Sequence, residues 1–281
     1  MMKKLSPVIE WFTLLFCTGT VLLFLVAILW DLAVKGWPSL SWEFVTALPS
    51  DGMTKGGILP AITGTIILTL LTAVLSVPLG ISCAIYLNEY AKDNWLTRLI
   101  RASIRNLSGV PSIIYGLFGL ALFVQGMHMG TSMLAAGFTL GLLSLPYIIS
   151  TTEEALRRIP ASTREAALGI GATQFESIRD VVLPSALPGI LTGVVLTLSR
   201  AAGETAPILF TGVAFYINGS SGYLNQEFMA LPYHLYMLST QHQAIEQVRP
   251  LAYSTALVLV MVVFLLNLTA FYIRYKHSNN D

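Results

Sequence analysis

Charge is what this sequence has least of. Its 16 basic and 15 acidic residues make up 11% of the chain, while 54% is hydrophobic. An ordinary soluble protein carries roughly 25% charged residues, so the scarcity excludes a soluble fold with a tail and leaves one membrane domain. The net charge of +1 gives no electrostatic basis for binding nucleic acid. Cysteine is nearly absent too. Cys17 and Cys83 both fall inside apolar runs and read as small core residues, not as a disulfide pair or metal ligands. His128, His234 and His242 have no carboxylate or cysteine at ligand spacing, which argues against a metal site. No G-x-x-x-x-G-K-[ST] stretch occurs, so the chain is not expected to bind or hydrolyse ATP itself. It also lacks a recognisable nucleophile–base–acid set, an internal repeat and a low-complexity tract.

What is present is a series of long charge-free runs. A membrane-spanning helix needs roughly 20 mainly apolar residues, so counting such runs counts spans. Trp11–Trp30 is the first, 20 residues long. It follows a basic N-terminus but exceeds the apolar region of a secretory signal and has no small-residue cleavage site behind it, so it reads as a retained span. Gly56–Asn88 provides the second, with Pro78 as an expected kink. Asn106–Thr152 is charge-free for 47 residues, enough for two spans, with the break at Gln125–Thr131. A fifth span begins at Val181 and is expected to pass Arg200 and Glu204 and reach about Ala214. Pro250–Ile273 forms the sixth. The expected fold is therefore all-α, with six transmembrane helices.

The lysine and arginine distribution orients these spans. With the N-terminus inside, the inner face carries Lys3, Lys4, Lys92, Arg98, Arg101, Arg105, Arg157, Arg158, Arg164, Arg179, Arg274 and Lys276. The outer face carries only Lys35, Lys55 and Arg249, so both termini are expected in the cytoplasm. Of the outer loops, Lys35–Lys55 offers Trp37, Trp42 and Phe44 to the interfacial aromatic belt. The other opens with a flexible turn at Asn218–Gly222, and its His234–Val248 part reads as a surface helix. Arg98, Arg101 and Arg105 share a helix face just inside the membrane, either a lipid-phosphate anchor or an exit for an anion.

One charged island interrupts the pattern. Glu153–Pro184 holds nine charged residues in 32 positions and faces the cytoplasm. Pro160 ends the helix entering it. Ser162–Glu165 and Thr173–Glu176 each fit a capping box, with a hydroxyl at the N-cap and glutamate three residues on. Gly169 and Gly171 offer a C-cap between them. The expected product is two short capped helices meeting at a glycine bend, the second stopping before Pro184. Ala166, Ala167 and Ile170 would form a small apolar face. The alternative is a solvated loop that packs on its own spans, which would not require two caps and a bend.

This segment resembles the EAA loop of ABC importer permeases, whose pattern is E-A-A, three residues, G, nine residues, I-x-L-P. Glu165-Ala-Ala167, Gly171 and Val181-Val-Leu-Pro184 keep every spacing, and Val181 for isoleucine is the one departure. The resemblance implies a single permease domain over residues 1–281, of the type I ABC importer fold, with its core at 59–275 and a cytoplasmic coupling loop at 153–184. It further implies that Glu165, Ala166, Ala167 and Gly171 contact an ATPase subunit, which binds the ATP in place of this chain.

Two charges remain inside a span. Arg200 and Glu204 stand four residues apart, and an ionisable group at bilayer depth costs at least about 2.5–3.5 kcal/mol. They are either an internal ion pair that fixes helix packing, or an anion path in which Glu204 orients Arg200 or pairs with a sister subunit. Gly137/Gly141 and Gly189/Gly193 stand at GxxxG spacing and allow close helix contact within or between subunits.

The stretch Ser199–Phe210 around the charged pair resembles the fifth span of phosphate-uptake permeases, and Asn106–Gly119 resembles their third. Leu145–Ala155 and Gln226–Pro232 look like the A-type subunit more than its C-type sister. What this implies is a non-catalytic subunit of an ATP-driven phosphate importer in a prokaryotic inner membrane. It would need no cofactor of its own. Its partners would be a C-type permease, two ATPase subunits, an extracytoplasmic phosphate-binding protein, phosphate and membrane lipid. Alternatives are a sulfate or molybdate permease, the C-type sister, an ion-coupled secondary transporter, or a scaffold or intramembrane enzyme. The last would need a catalytic set that the sequence lacks.

Overall fold

In the computed structural model, which describes residues 7–217 and 224–278, nearly the whole chain is helical. The turn expected at Asn218–Gly222, together with Lys3, Lys4 and the side chains of Arg274 and Lys276, lies outside the described residues. The helices are α1 (Pro7–Gly36), α2 (Leu59–Tyr90), α3 (Trp95–Ser108), α4 (Ser112–Gly126) and α5 (Met133–Arg157). After them come α6 (Ala161–Gly169), α7 (Gln174–Gly203), α8 (Leu231–Thr240) and α9 (Ile245–Ser278). Five of these, α1, α2, α5, α7 and α9, are long and apolar enough to cross a membrane. A sixth candidate is the bent pair of α3 and α4, which meet at 102° and pass the same test only if taken together. Pro111 makes the break, standing at the N-cap of α4 with no N–H to carry α3 onward. The 15 residues of α4 rise only about 22 Å, short of a hydrocarbon core of about 30 Å.

The core is α2 against α5, with α7 packed on both. Along α2, Thr65, Thr69, Thr72 and Ser76 are all buried, and each hydroxyl donates to the carbonyl four residues earlier at 2.7–2.8 Å. A hydroxyl satisfied inside its own helix costs little to bury, so this stripe acts as a narrow, close-packing surface. Three of the four paired glycines, Gly137, Gly189 and Gly193, serve the same end within the chain. A Cβ at Gly137 would lie 2.5 Å from Leu71, and one at Gly193 would lie 2.4 Å from Thr151 Oγ1. Apart from its C-terminal end, α1 shows its apolar surface outward, Cys17 included, so this cysteine is not a core residue. At that end Ser254 Oγ donates to the Gly36 carbonyl at 2.7 Å.

Several sequence expectations are corrected. The helix after the charged island does not stop before Pro184; it runs on through Pro184 and Pro188. A π-helical turn at Ile178–Val182 shifts the hydrogen-bond register just ahead of Pro184, so its missing donor is absorbed. The fifth span ends at Gly203, not Ala214, and Glu204 is already extended (ψ 130°). Pro207 has no N–H to offer the Gly203 carbonyl, so the helix cannot propagate there. The segment expected as a surface helix over His234–Val248 is instead divided between α8 and the start of α9, with His234 only 3% exposed. Phe44, assigned to the interfacial belt, packs in the core beside Met53 and Ile58, whereas Trp37 and Trp42 do face outward.

Replacing Gly193 with Val should force α5 and α7 apart, because the Thr151 Cβ that it would meet at 2.5 Å is fixed to its backbone. The expected cost is about 1–3 kcal/mol, read as a lower melting temperature in detergent. Gly203→Ala, with nothing within 4 Å of the new methyl, should leave the melting temperature unchanged.

Candidate functional site

The elbow between α5 and α7 is built from the end of one helix and the start of the next. α5 ends at Arg157, and Pro160 takes the N-cap of α6 with φ −59° and ψ 145° and no side-chain cap. The capping box expected at Ser162–Glu165 is therefore not formed. The pre-set φ of Pro160, whose carbonyl accepts from the Thr163 amide at 3.2 Å, starts the helix early and leaves Ser162 and Glu165 within its opening turns. The other end follows expectation closely. Gly171 N–H donates to the Leu168 carbonyl at 3.0 Å and Ala172 N–H to that of Ala167 at 3.2 Å, with Gly171 at φ +94°. This is a Schellman cap, and glycine is required at its left-handed position. Thr173 then forms a true capping box with Glu176, the Thr173 amide donating to Glu176 Oε2 at 2.8 Å and the Glu176 amide to Thr173 Oγ1 at 3.3 Å.

The elbow presents part of the surface that its sequence suggests. Glu165, Ala166 and Gly171 are exposed, but Ala167 is 5% exposed and packs inward. Ile170, at 89% exposure, takes the outermost place on the tip, with Leu168 and Phe175 also exposed. Phe175 thus parts from Ile178 and Val182, which are buried.

What holds the elbow is a set of ion pairs between residues far apart in sequence. Arg164 grips Glu89 at the end of α2 with two bonds, Nη2 to Oε1 at 2.8 Å and Nε to Oε2 at 3.1 Å. The same guanidinium donates to the carbonyls of Ile159 and Leu156 at 2.7 and 2.9 Å, capping the end of α5. Gln174 Nε2 donates to the Glu89 carbonyl at 2.8 Å, tying the start of α7 to the same point. Beside this, Arg101 of α3 joins Glu153 of α5 at 3.1 Å and the Leu87 carbonyl at 2.6 Å. The Glu89 and Glu153 side chains are 7% and 13% exposed. Breaking one partner of a buried pair costs roughly 3–5 kcal/mol. Arg98, Arg101 and Arg105 consequently do not act as one face. Arg101 turns inward, Arg98 pairs with Asp93, and Arg105 stays exposed.

The second place of interest lies on α5 and α7. The guanidinium of Arg200 sits 4.5 Å above the ring of Tyr147, and its Nε lies 3.3 Å from Glu204 Oε1. The pair expected from the i,i+4 spacing is thus made, although Glu204 stands just past the helix end. Tyr147 Oη donates to the Ser108 carbonyl at 2.8 Å, at the break between α3 and α4. Stacking on the ring leaves N–H edges of the guanidinium free for an anion. Tyr147 is ten residues from Arg157, so Arg200 lies about 15 Å from that end of α5 along its axis. Between the two places runs a groove of about 420 Å³ lined by Thr151, Arg158, Ser185, Gly189, Thr192 and Leu196. Its lining reaches Leu196, one turn before Arg200.

Glu89 and Tyr147 are functional candidates that sequence reasoning passed over, and it did not join Arg101 to Glu153. Only one signal marks Glu89: it is the carboxylate that ends the second charge-free run. Its partner lies 75 positions away, and nothing in the local pattern joins them.

Residues 76–276 match the family model described as "Binding-protein-dependent transport system inner membrane component". A phosphate transport system permease protein PstA of Xylella fastidiosa is 38% identical over 238 residues, covering 84% of this chain and 81% of its own. A probable ABC transporter permease protein, YqgI of Bacillus subtilis, is 33% identical over 195 residues, covering 69% of this chain and 66% of its own. Among solved structures, an inward-facing MetNI methionine ABC transporter matches with a TM-score of 0.65 at 20% identity, covering 78% of this chain and 95% of that one. This last likeness speaks for the fold alone.

Thr173→Val should remove the cap on the first turn of α7. A loss of about 1 kcal/mol predicts roughly fivefold faster hydrogen exchange at the Glu176 amide, with the α5–α7 contact undisturbed.

Proposed function

The chain belongs to the family of binding-protein-dependent transport system inner membrane components, with the type I ABC importer permease fold, and we propose that it is the A-type permease subunit of an ATP-driven importer of inorganic phosphate. The observation that carries the proposal is the match to the PstA relative over 84% of the chain. A second support is the rigid, capped elbow that presents Glu165, Ala166, Ile170 and Gly171 outward. In this reading the chain is a transport component that performs no chemistry and binds no ATP. Its partners are a C-type sister permease, two ATPase subunits and an extracytoplasmic phosphate-binding protein. Both termini and the elbow face the cytoplasm, in keeping with the basic residues gathered there.

The mechanism follows from the geometry. The binding protein docks outside, and ATP draws the ATPase subunits together. The elbow, docked on one of them through Glu165, Ala166, Ile170 and Gly171, transmits that movement to the spans. Ala167 serves from within, fixing α6 against its own spans. Phosphate is met by the half-exposed Arg200 guanidinium, which Tyr147 holds from below and Glu204 from the side. The groove from Leu196 to Arg158 forms this chain's half of the way in.

Glu165→Lys reverses a charge on the exposed face of α6. ATP-driven phosphate uptake by the reconstituted complex should fall at least tenfold while the chain still inserts; undiminished uptake would remove Glu165 from coupling. Arg200→Gln should abolish uptake of labelled phosphate without loss of thermal stability. Normal uptake with a lowered melting temperature would make Arg200 and Glu204 a packing pair only. The cargo is tested by uptake of labelled phosphate against sulfate and molybdate in vesicles, and a preference for either of the latter overturns the phosphate assignment.

A further inference from the structure

The covalent path out of the elbow leads to α5 on one side and α7 on the other, so these two spans would be expected to receive its movement. The ionic contacts point elsewhere. Arg164, in the middle of α6, has its fork on Glu89, and Gln174, at the first turn of α7, reaches the Glu89 carbonyl. Both arms of the elbow are therefore fastened to one residue of α2, in its terminal π-helical turn Tyr86–Tyr90. Asn88 Nδ2 adds a 2.7 Å bond to Glu89 Oε1, so the carboxylate is held from its own turn as well as from α6.

We propose that Glu89 is the positioning residue through which the elbow drives the bundle. Displacement of α6 enters α2 first, by way of the Glu89–Arg164 fork, and reaches α5 and α7 through their packing on α2. The inference rests on the coupling role of the elbow stated above. Three physical points support it. A two-bond guanidinium–carboxylate pair resists both shear and rotation, whereas a single bond resists neither well. The pair is shielded, with side-chain exposures of 7% and 23%, so water and salt do little to loosen it. The link to α7, by contrast, is the covalent turn at Gly171, and no ion pair among the described residues joins α6 to α7.

The test uses the whole complex in nanodiscs, with the binding protein loaded with inorganic phosphate. Glu89→Gln should lower the ratio of stimulated to basal ATP hydrolysis at least tenfold while the ATPase subunits still co-purify. Glu89→Arg combined with Arg164→Glu should restore the ratio to within about threefold of the parent. A purely structural role would lower the yield of assembled complex in Glu89→Gln, whereas the proposal lowers the ratio in complexes that are fully assembled. An unchanged ratio in Glu89→Gln, or a charge swap no better than the single change, overturns the proposal. A second measurement needs neither variant. Spin labels at Ser162 of α6 and Leu79 of α2 should keep a constant separation when ATP closes the complex, while the separation between Ser162 and Leu196 of α7 changes. The reverse result overturns it too. Failure of the unaltered chain to retain any ATPase subunit would strike the proposed function itself, an outcome distinct from both.

Discussion

A charge cannot remain ionised at the edge of a hydrocarbon layer without a partner close by, and much of this structure is arranged around that constraint. Moving a carboxylate out of water costs several kcal/mol even after the surroundings relax. Glu89 and Glu153, both nearly buried, meet the requirement with Arg164 and Arg101. Each pair crosses between segments that are remote in the chain. Satisfying the charges therefore also joins α2 to α6 and α3 to α5, and it fixes the elbow that projects from the bundle. The remaining hydrogen-bonding capacity of the two guanidiniums goes to carbonyls at the ends of α5 and α2, which their own helices leave open. Stability and positioning arise from the same contacts.

A second constraint comes from the helices themselves. Apolar side chains gain little by leaving lipid for one another, so spans associate by fitting closely. Gly137 and Gly193, with the self-bonded hydroxyls of α2, leave room for the side chains of Leu71 and Thr151, so that α2, α5 and α7 pack closely. Prolines would be expected to interrupt such a bundle, yet α7 passes through Pro184 and Pro188. The π-helical turn that makes this possible lies between the elbow and the span proper. The wider turn keeps the elbow continuous with α7, and α7 carries Arg200 at its far end. The elbow and the charged pair thus stand toward opposite ends of one helix.

Local chemistry made much of this legible in the sequence. Charge-free runs marked six crossings because lipid excludes charge over the length of a span, and the Gln125–Thr131 break fell where the described chain does turn. The Thr173 capping box and the Gly171 cap were visible because each is formed among residues a few positions apart. The same logic failed at Ser162, where Pro160 had already set the helix start, and at Pro184, where a π turn absorbed the proline. Both failures come from a neighbouring residue changing the backbone register that the local pattern presumes. Resemblance to importer permeases added the expectation of a docking elbow, and a capped elbow is formed at that place in the chain. The structure changed which side chains face outward, placing Ile170 at the tip and Ala167 inside.

By itself, then, the sequence determined which stretches are apolar enough to cross a membrane, where the charged island lies and that a glycine must stand at position 171. These follow from transfer free energies and short-range backbone geometry, which depend only on residues near one another in the chain. Only the tertiary structure decided that Glu89 meets Arg164, that Arg101 turns away from Arg98 and Arg105 to reach Glu153, and that Tyr147 lies beneath Arg200. A buried charge requires some partner, but which one it obtains depends on how helices are rotated and set against each other. That choice belongs to close packing of whole surfaces, and no spacing along the chain records it.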